Sequence, residues 1–253
     1  MKKFIVIILG IILFSIIISA YNNNPKVIIS RLTKREGLIK GGDLKYRIYL
    51  LGVIPLGEAV FSRERIEPYD KKNVYHLSAS AQSLKLFSNF FNASAVFDSY
   101  VDMDNLNPIL FKQRIKITGK KDMERIAFYD QKNKVMTIDG VKRQILPNTQ
   151  DPLSAMLNLR RLDFDKLKDI EMNINTNQKN YILKGMAKEE ELSININKKI
   201  YKIVKAEATI QRRDKNPYHK TSITMILLRE KENIPLLIRV FASGVLIYGR
   251  LIE

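Results

Sequence analysis

The chain has 253 residues, 45% of them hydrophobic and 27% charged, a balance that excludes general disorder and leaves enough apolar side chain for a sizeable core. It has no cysteine, which excludes disulfides, thiolate chemistry, Cys-ligated zinc and lipidation through sulfur. A formal net charge of +17 favours anionic membrane surfaces, acidic polysaccharide or nucleic acid, unless the lysines are simply spread over solvated faces.

At the N-terminus, Lys2 and Lys3 precede an uncharged run from Phe4 to Ala20, followed by the polar stretch Tyr21-Asn22-Asn23-Asn24-Pro25. That is the order of a basic region, an apolar region and a small-residue cleavage zone, and it predicts export. The run is longer than a usual signal core and just short of the ~20 residues that span a bilayer comfortably. Ile18 occupies a position that cleavage wants small. A cleaved signal peptide and a retained anchor in residues 1–20 therefore both stand, with a buried core helix as a third option. Residues 21–42 read as a polar connector, and residues 43–253 as one β domain in the periplasm or tethered to the inner membrane. Export makes nucleic acid an unexpected partner.

From residue 43 onward the dominant pattern is two-residue alternation, as in antiparallel strands with one wet face. Strands are expected over residues 44–51, 58–67, 74–81, 96–103, 111–118, 123–130, 135–138 and 141–145. More follow over 170–176, 181–187, 192–197, 202–212, 222–229, 236–241 and 245–252. Asp139-Gly140 is a two-residue hairpin turn, and Ser243-Gly244 marks another reversal. So many strands exceed one flat sheet. The fold class is therefore all-β and mostly antiparallel, a strongly curved sheet or open barrel with one or two short helices. Asp151-Pro152 starts a helix over residues 152–162, with Leu153, Met156 and Leu157 expected on one face and Arg160 and Arg161 at its C-terminal end. Such a helix plugs or flanks the sheet. Between residues 83 and 92, Leu84, Leu86, Phe87, Phe90 and Phe91 crowd together without strict alternation, which suits either core or an apolar rim.

Catalytic signals are weak. The two histidines, His76 and His219, have no metal-ligand spacing, so no metal site is expected. Asp98, Asp102 and Asp104 form the best carboxylate cluster, with Asp98, Tyr100 and Asp102 on one strand face, most simply as a polar outer row or in cross-strand pairs with basic residues. Ser154 lacks a nucleophile elbow, and no phosphate loop or dinucleotide fingerprint occurs, so neither catalytic residues nor a cofactor is expected.

Several collinear stretches resemble an exported bacterial family known as domain of unknown function 3108. They are the run from Gly42 to Tyr49 with Gly52, Val53 and Gly57-Glu58-Ala59; Asp98 to Asp102; Asp151 to Arg160; and Ile234-Pro235-Leu236 with Gly244. The resemblance implies a strongly curved antiparallel sheet or open barrel and brings no catalytic residues. The chain departs from the family pattern at Met225-Ile226-Leu227-Leu228-Arg229-Glu230, where an aromatic, aspartate-containing strand is expected.

Taken together, these features point to a non-catalytic cell-envelope protein binding an apolar or amphipathic ligand, a lipid or lipid-linked glycan, in a concave sheet face. The expected ligand-binding residues are Leu84, Leu86, Phe87, Phe90, Phe91, Leu153, Met156 and Leu157. The alternatives are an envelope interaction or assembly protein with a packed core and a basic docking surface, and a carboxylate-dependent enzyme acting on polysaccharide. An anionic membrane surface is a further possible partner. The sequence does not set the oligomeric state.

Overall fold

The computed structural model describes residues 42–85, 92–166, 169–176, 178–196, 199–213, 221–229 and 232–252. The N-terminal apolar run, the connector up to residue 41, His219, and Leu86, Phe87, Phe90 and Phe91 lie outside the described residues. In chain order the first strands are β1 (Leu44–Leu50), β2 (Ile54–Phe61), β3 (Arg65–Tyr69), β4 (Lys72–Ser83), β5 (Ala93–Asp102), β6 (Pro108–Ile117), β7 (Met123–Asp130), β8 (Val135–Ile138) and β9 (Val141–Gln144). Helix α1 (Pro152–Arg161) follows, then β10 (Asp169–Thr176), β11 (Lys179–Ile196), β12 (Lys199–Arg212), β13 (Thr221–Leu228), β14 (Ile234–Ala242) and β15 (Val245–Leu251).

Every ladder is antiparallel, and the strands form one continuous sheet in the order β10 to β15, then β1, β2 and β4 to β9. Hairpins between sequence neighbours make most of it, and their turns use the residue types the geometry needs. Asp139-Gly140 and Ser243-Gly244 both have positive φ at both positions, the conformation of the tightest hairpin turns. The sheet does not close. Among the described residues no ladder joins β9 to β10; instead the segment after β9 lies along β10, where the Gln150 amide donates to Asn173 O and the Asn175 amide to Gln150 O, each at 2.8 Å.

The run expected over residues 58–67 is two strands. β2 and β3 lie end to end against β4, interrupted at residues 62–64, where the Ser62 amide still donates to Ser78 O. The interruption matters because it brings Glu64 to the helix. On β4 to β8 the inner face carries Leu77, Ala79, Val101, Phe111, Ala127, Tyr129, Met136 and Ile138, packed with Leu153 and Leu157 of α1. On β10 to β13 it carries Ile170, Leu183, Val204, Ala206, Met225 and Leu227, packed with Ala155 and Leu159. The helix thus fills one end of the curved sheet and joins two cores. Near the starts of β12 and β14 and the end of β13, consecutive residues are buried: Ile203 and Val204, Leu227 and Leu228, Leu236 and Leu237. Both sheet faces are covered there.

Candidate functional site

The inner face is best followed as cross-strand levels, since paired residues on adjacent strands point the same way. At the level of the helix, Leu77, Ser99 and Phe111 are in register. Above it come Ala79, Phe97 and Gln113, and then Ala81, Ala95 and Ile115. Side chains shrink along β4 away from the helix, and beyond Phe97 the inner row of β5 is alanine as well, at Ala95 and Ala93.

At the lower level the space is full. Asp151 caps α1 through its Oδ1, which accepts from the amides of Leu153 (2.7 Å) and Ser154 (3.0 Å), while Ser154 Oγ accepts from the Asp151 amide. Pro152 occupies the first helical turn, where no amide is needed. The Ser99 hydroxyl donates to Asp151 Oδ2 at 2.5 Å, fixing the helix start to β5. Asp151 is wholly buried, and the lost hydration raises its carboxyl from the ordinary 3.8 to about 6 despite the donors from Ser99, Ser154 and Leu153. Asn158 reaches the β5–β6 turn through Leu106 O, and Asn233 holds the far end through Arg160 O and Leu162 O.

Beside that far end, Arg161 bridges Glu64 (2.7 Å) and Glu232 (3.2 Å) and lies 4.5 Å over the Tyr75 ring, while Arg160 bonds the other oxygen of Glu232 at 2.9 Å. Burial, followed by the neighbouring Glu232, holds the Glu64 carboxyl above its usual range, with Arg161 opposing. A polar cavity of about 170 Å³ adjoins this group, lined by Phe61, Arg63, Glu64, Arg160 and Glu232 among others. Among the described residues the buried Glu64 Oε2 has no hydrogen-bond partner.

The other end of the sheet is different. Above Phe97 the inner face opens into a pocket of about 240 Å³ whose exposed surface is almost wholly apolar, lined by Ile48, Leu56, Ala81, Ala95, Ile115 and Ile117, with Gly57, Ser83 and Ala93 and the polar residues Glu58, Gln82 and Ser94 also in the wall. Small side chains on β4 and β5 leave the space. At Gly57 a Cβ atom would meet Gln82 O at 2.4 Å, so only glycine lets β2 and β4 approach this closely.

Of the residues singled out from sequence, Leu153 and Leu157 are buried in the core shared with β4 to β8. Met156 instead packs on the core of β10 to β13, so the expected single helix face is two faces serving two cores. None of the three lines the apolar pocket. Leu84 is half-buried, and its amide donates to Leu56 O at 2.9 Å, beside the pocket wall. Leu86, Phe87, Phe90 and Phe91 are outside the described residues, but the strand ends that flank them, Ser83 and Ala93, line the pocket.

On the outer face, Asp98 and Tyr100 stand opposite Lys112 and Leu110 of β6, and Asp102 spends its carboxylate on the amides of Asp104 and Asn105 in the following turn. Sequence spacing missed one cluster. His76 Nε2 is 2.9 Å from Asp98 Oδ1, its Nδ1 is 3.1 Å from Glu67 Oε1, and its ring stacks on Tyr100 at 4.5 Å. The carboxylates lie at opposite sides of the ring on β3 and β5, so the three groups do not converge. Among the described residues no set of three or more His, Asp or Glu side chains is placed to hold a metal ion.

A single antiparallel sheet wrapped around one helix, full at one end and open at the other, defines a β-barrel-like protein. The chain matches the model of a family described as a protein of unknown function, DUF3108, over residues 45–244, and it belongs to that family. No curated protein matches it. Among solved structures it is similar to a β-barrel-like protein of domain of unknown function DUF1849 from Brucella abortus, with a TM-score of 0.56 and 10% identity, over 83% of this chain and 95% of that one. At that identity the likeness concerns the fold alone.

Proposed function

We propose that this is a non-catalytic cell-envelope protein that binds an apolar or amphipathic molecule, a lipid or lipid-linked glycan, at the open end of its concave face. The observation that supports it is the apolar pocket of about 240 Å³ above Phe97. This is a little smaller than the ~300–1,000 Å³ that encloses a drug-sized ligand, so it suits one acyl segment with the rest of the molecule outside. Each methylene moved there from water contributes about 0.8 kcal/mol. The basic composition suits an anionic head group left in solvent.

The test is to purify the full chain from a membrane-containing host and measure co-purifying lipid by native mass spectrometry. Wild type is expected to carry lipid, and Ala95→Phe, which fills the pocket, to lose it with its unfolding temperature maintained. Equal lipid in wild type and variant would overturn the assignment.

A further inference from the structure

The β1–β2 and β14–β15 hairpins stand side by side at the open end, since β1 pairs with β15 and β14 with β15. Five large apolar side chains on them are exposed: Leu51 (53%), Ile54 (45%), Phe241 (44%), Val245 (43%) and Ile247 (37%). They occupy both faces of the sheet. Ile247 pairs with Val240 on the inner side, whereas Phe241 pairs with Leu246 on the outer side. No single packing surface accounts for apolar residues on both sides of a hairpin tip, but immersion of the tip in an apolar medium does.

The same rim is basic. Lys85 follows Leu84 beside the pocket wall, and Lys120 and Lys121 lie just past the Thr118-Gly119 turn that follows Ile117, where the Lys120 amide donates to Ile117 O. All three are exposed and none forms an ion pair among the described residues, whereas nearby Lys116 is neutralised by Asp122 at 3.0 Å. Lysines beside exposed apolar tips are the complement of an anionic lipid surface.

We propose that this rim docks on an anionic bilayer, with the β1–β2 and β14–β15 tips entering the head-group layer and the apolar pocket facing the acyl chains. This rests on the proposed lipid-binding function and gives it a source: the ligand is a bilayer lipid, taken up directly from the surface.

The absence of cysteine permits a test in the full chain, because one introduced thiol carries a unique environment-sensitive fluorophore. The label is placed at Val245→Cys on the rim (43% exposed) or at Ile66→Cys on β3, toward the opposite end and more solvent-accessible (60%), so that greater accessibility alone favours the control. Each protein is mixed with vesicles of phosphatidylglycerol and phosphatidylethanolamine containing a head-group nitroxide quencher. Quenching is expected to be several-fold greater at Val245→Cys than at Ile66→Cys. It should fall toward the Ile66→Cys level in phosphatidylcholine vesicles, or when Lys85, Lys120 and Lys121 are changed to Glu, even if the N-terminal segment still anchors the chain. Equal quenching at both positions, or a Val245→Cys signal that appears without vesicles as protein concentration rises, overturns the proposal, the latter indicating a second copy as the occupant. Ala95→Phe separates the two ideas, because it should abolish lipid retention while leaving rim quenching intact.

Discussion

Asp151 sits where water does not reach, and three donors only partly replace its hydration. Its proton is held more tightly in the folded chain than in the unfolded one. Its contribution is therefore most favourable below pH ~4 and is lost as pH rises through about 6. Across that window the shift corresponds to about 3 kcal/mol. Asp151→Asn retains an acceptor for the helix amides and removes the titration. Denaturant unfolding at pH 4.5 and 7.5 should show wild type losing stability relative to the variant at the higher pH; parallel behaviour would mean that Asp151 ionises normally. The helix start at Asp151-Pro152 was legible because an N-cap is a local arrangement of adjacent residues. The position of His76 between Glu67 and Asp98 was not, because those partners come from neighbouring strands and no spacing in the chain announces a register.

At the scale of elements, α1 is held by packing along its length and by charge at its end. Leu157 is buried among β4 to β8 residues, and Leu157→Ala should cost about 2–5 kcal/mol in chemical denaturation. Arg161→Met leaves Glu64 and Glu232 together without their shared cation, so its destabilisation should lessen as pH falls from 7.5, because burial and Glu232 hold the Glu64 carboxyl above its usual range and favour its neutral form. Adding Glu64→Gln to Arg161→Met should recover much of the loss; a thermal melt showing no recovery would detach Glu64 from the lock. The strands were legible wherever one face is wet, as in β7, whose expected limits of 123 and 130 are those observed. The strand expected over 222–229 is β13 (Thr221–Leu228), although its end, Met225 to Leu228, is a continuous apolar run because both sheet faces are covered there. The break at residues 62–64 was hidden because it falls in the polar run Ser62 to Arg65, which holds no Gly or Pro to mark it, and only the interrupted pairing with β4 reveals that Glu64 meets Arg161.

For the molecule as a whole, the weakest line is the seam between β9 and β10. Among the described residues a single bridge through Gln150 spans it, helped by Asn173 Nδ2 donating to Pro147 O and Asn180 Nδ2 to Gln144 O. Native-state hydrogen exchange should therefore show the amides of Gln150 and Asn175 opening well before those of β5, which is paired on both sides. Equal protection would mean that the barrel behaves as closed. The pairing of β1 with β15, where the Ile252 amide donates to Lys45 O at 2.8 Å, has a consequence for how the chain finds its shape. Apart from the split β2–β3 partner of β4, the order of strands around the sheet is a cyclic rotation of their order in sequence. Two runs of hairpins can thus grow locally, but the chain must then close a loop of some two hundred residues to bring β1 to β15, the kind of distant contact that slows folding. Linking residue 252 to residue 42 and opening the chain between residues 166 and 169 would convert that late encounter into a neighbouring hairpin. A circular permutant built this way should refold faster while retaining the same sheet.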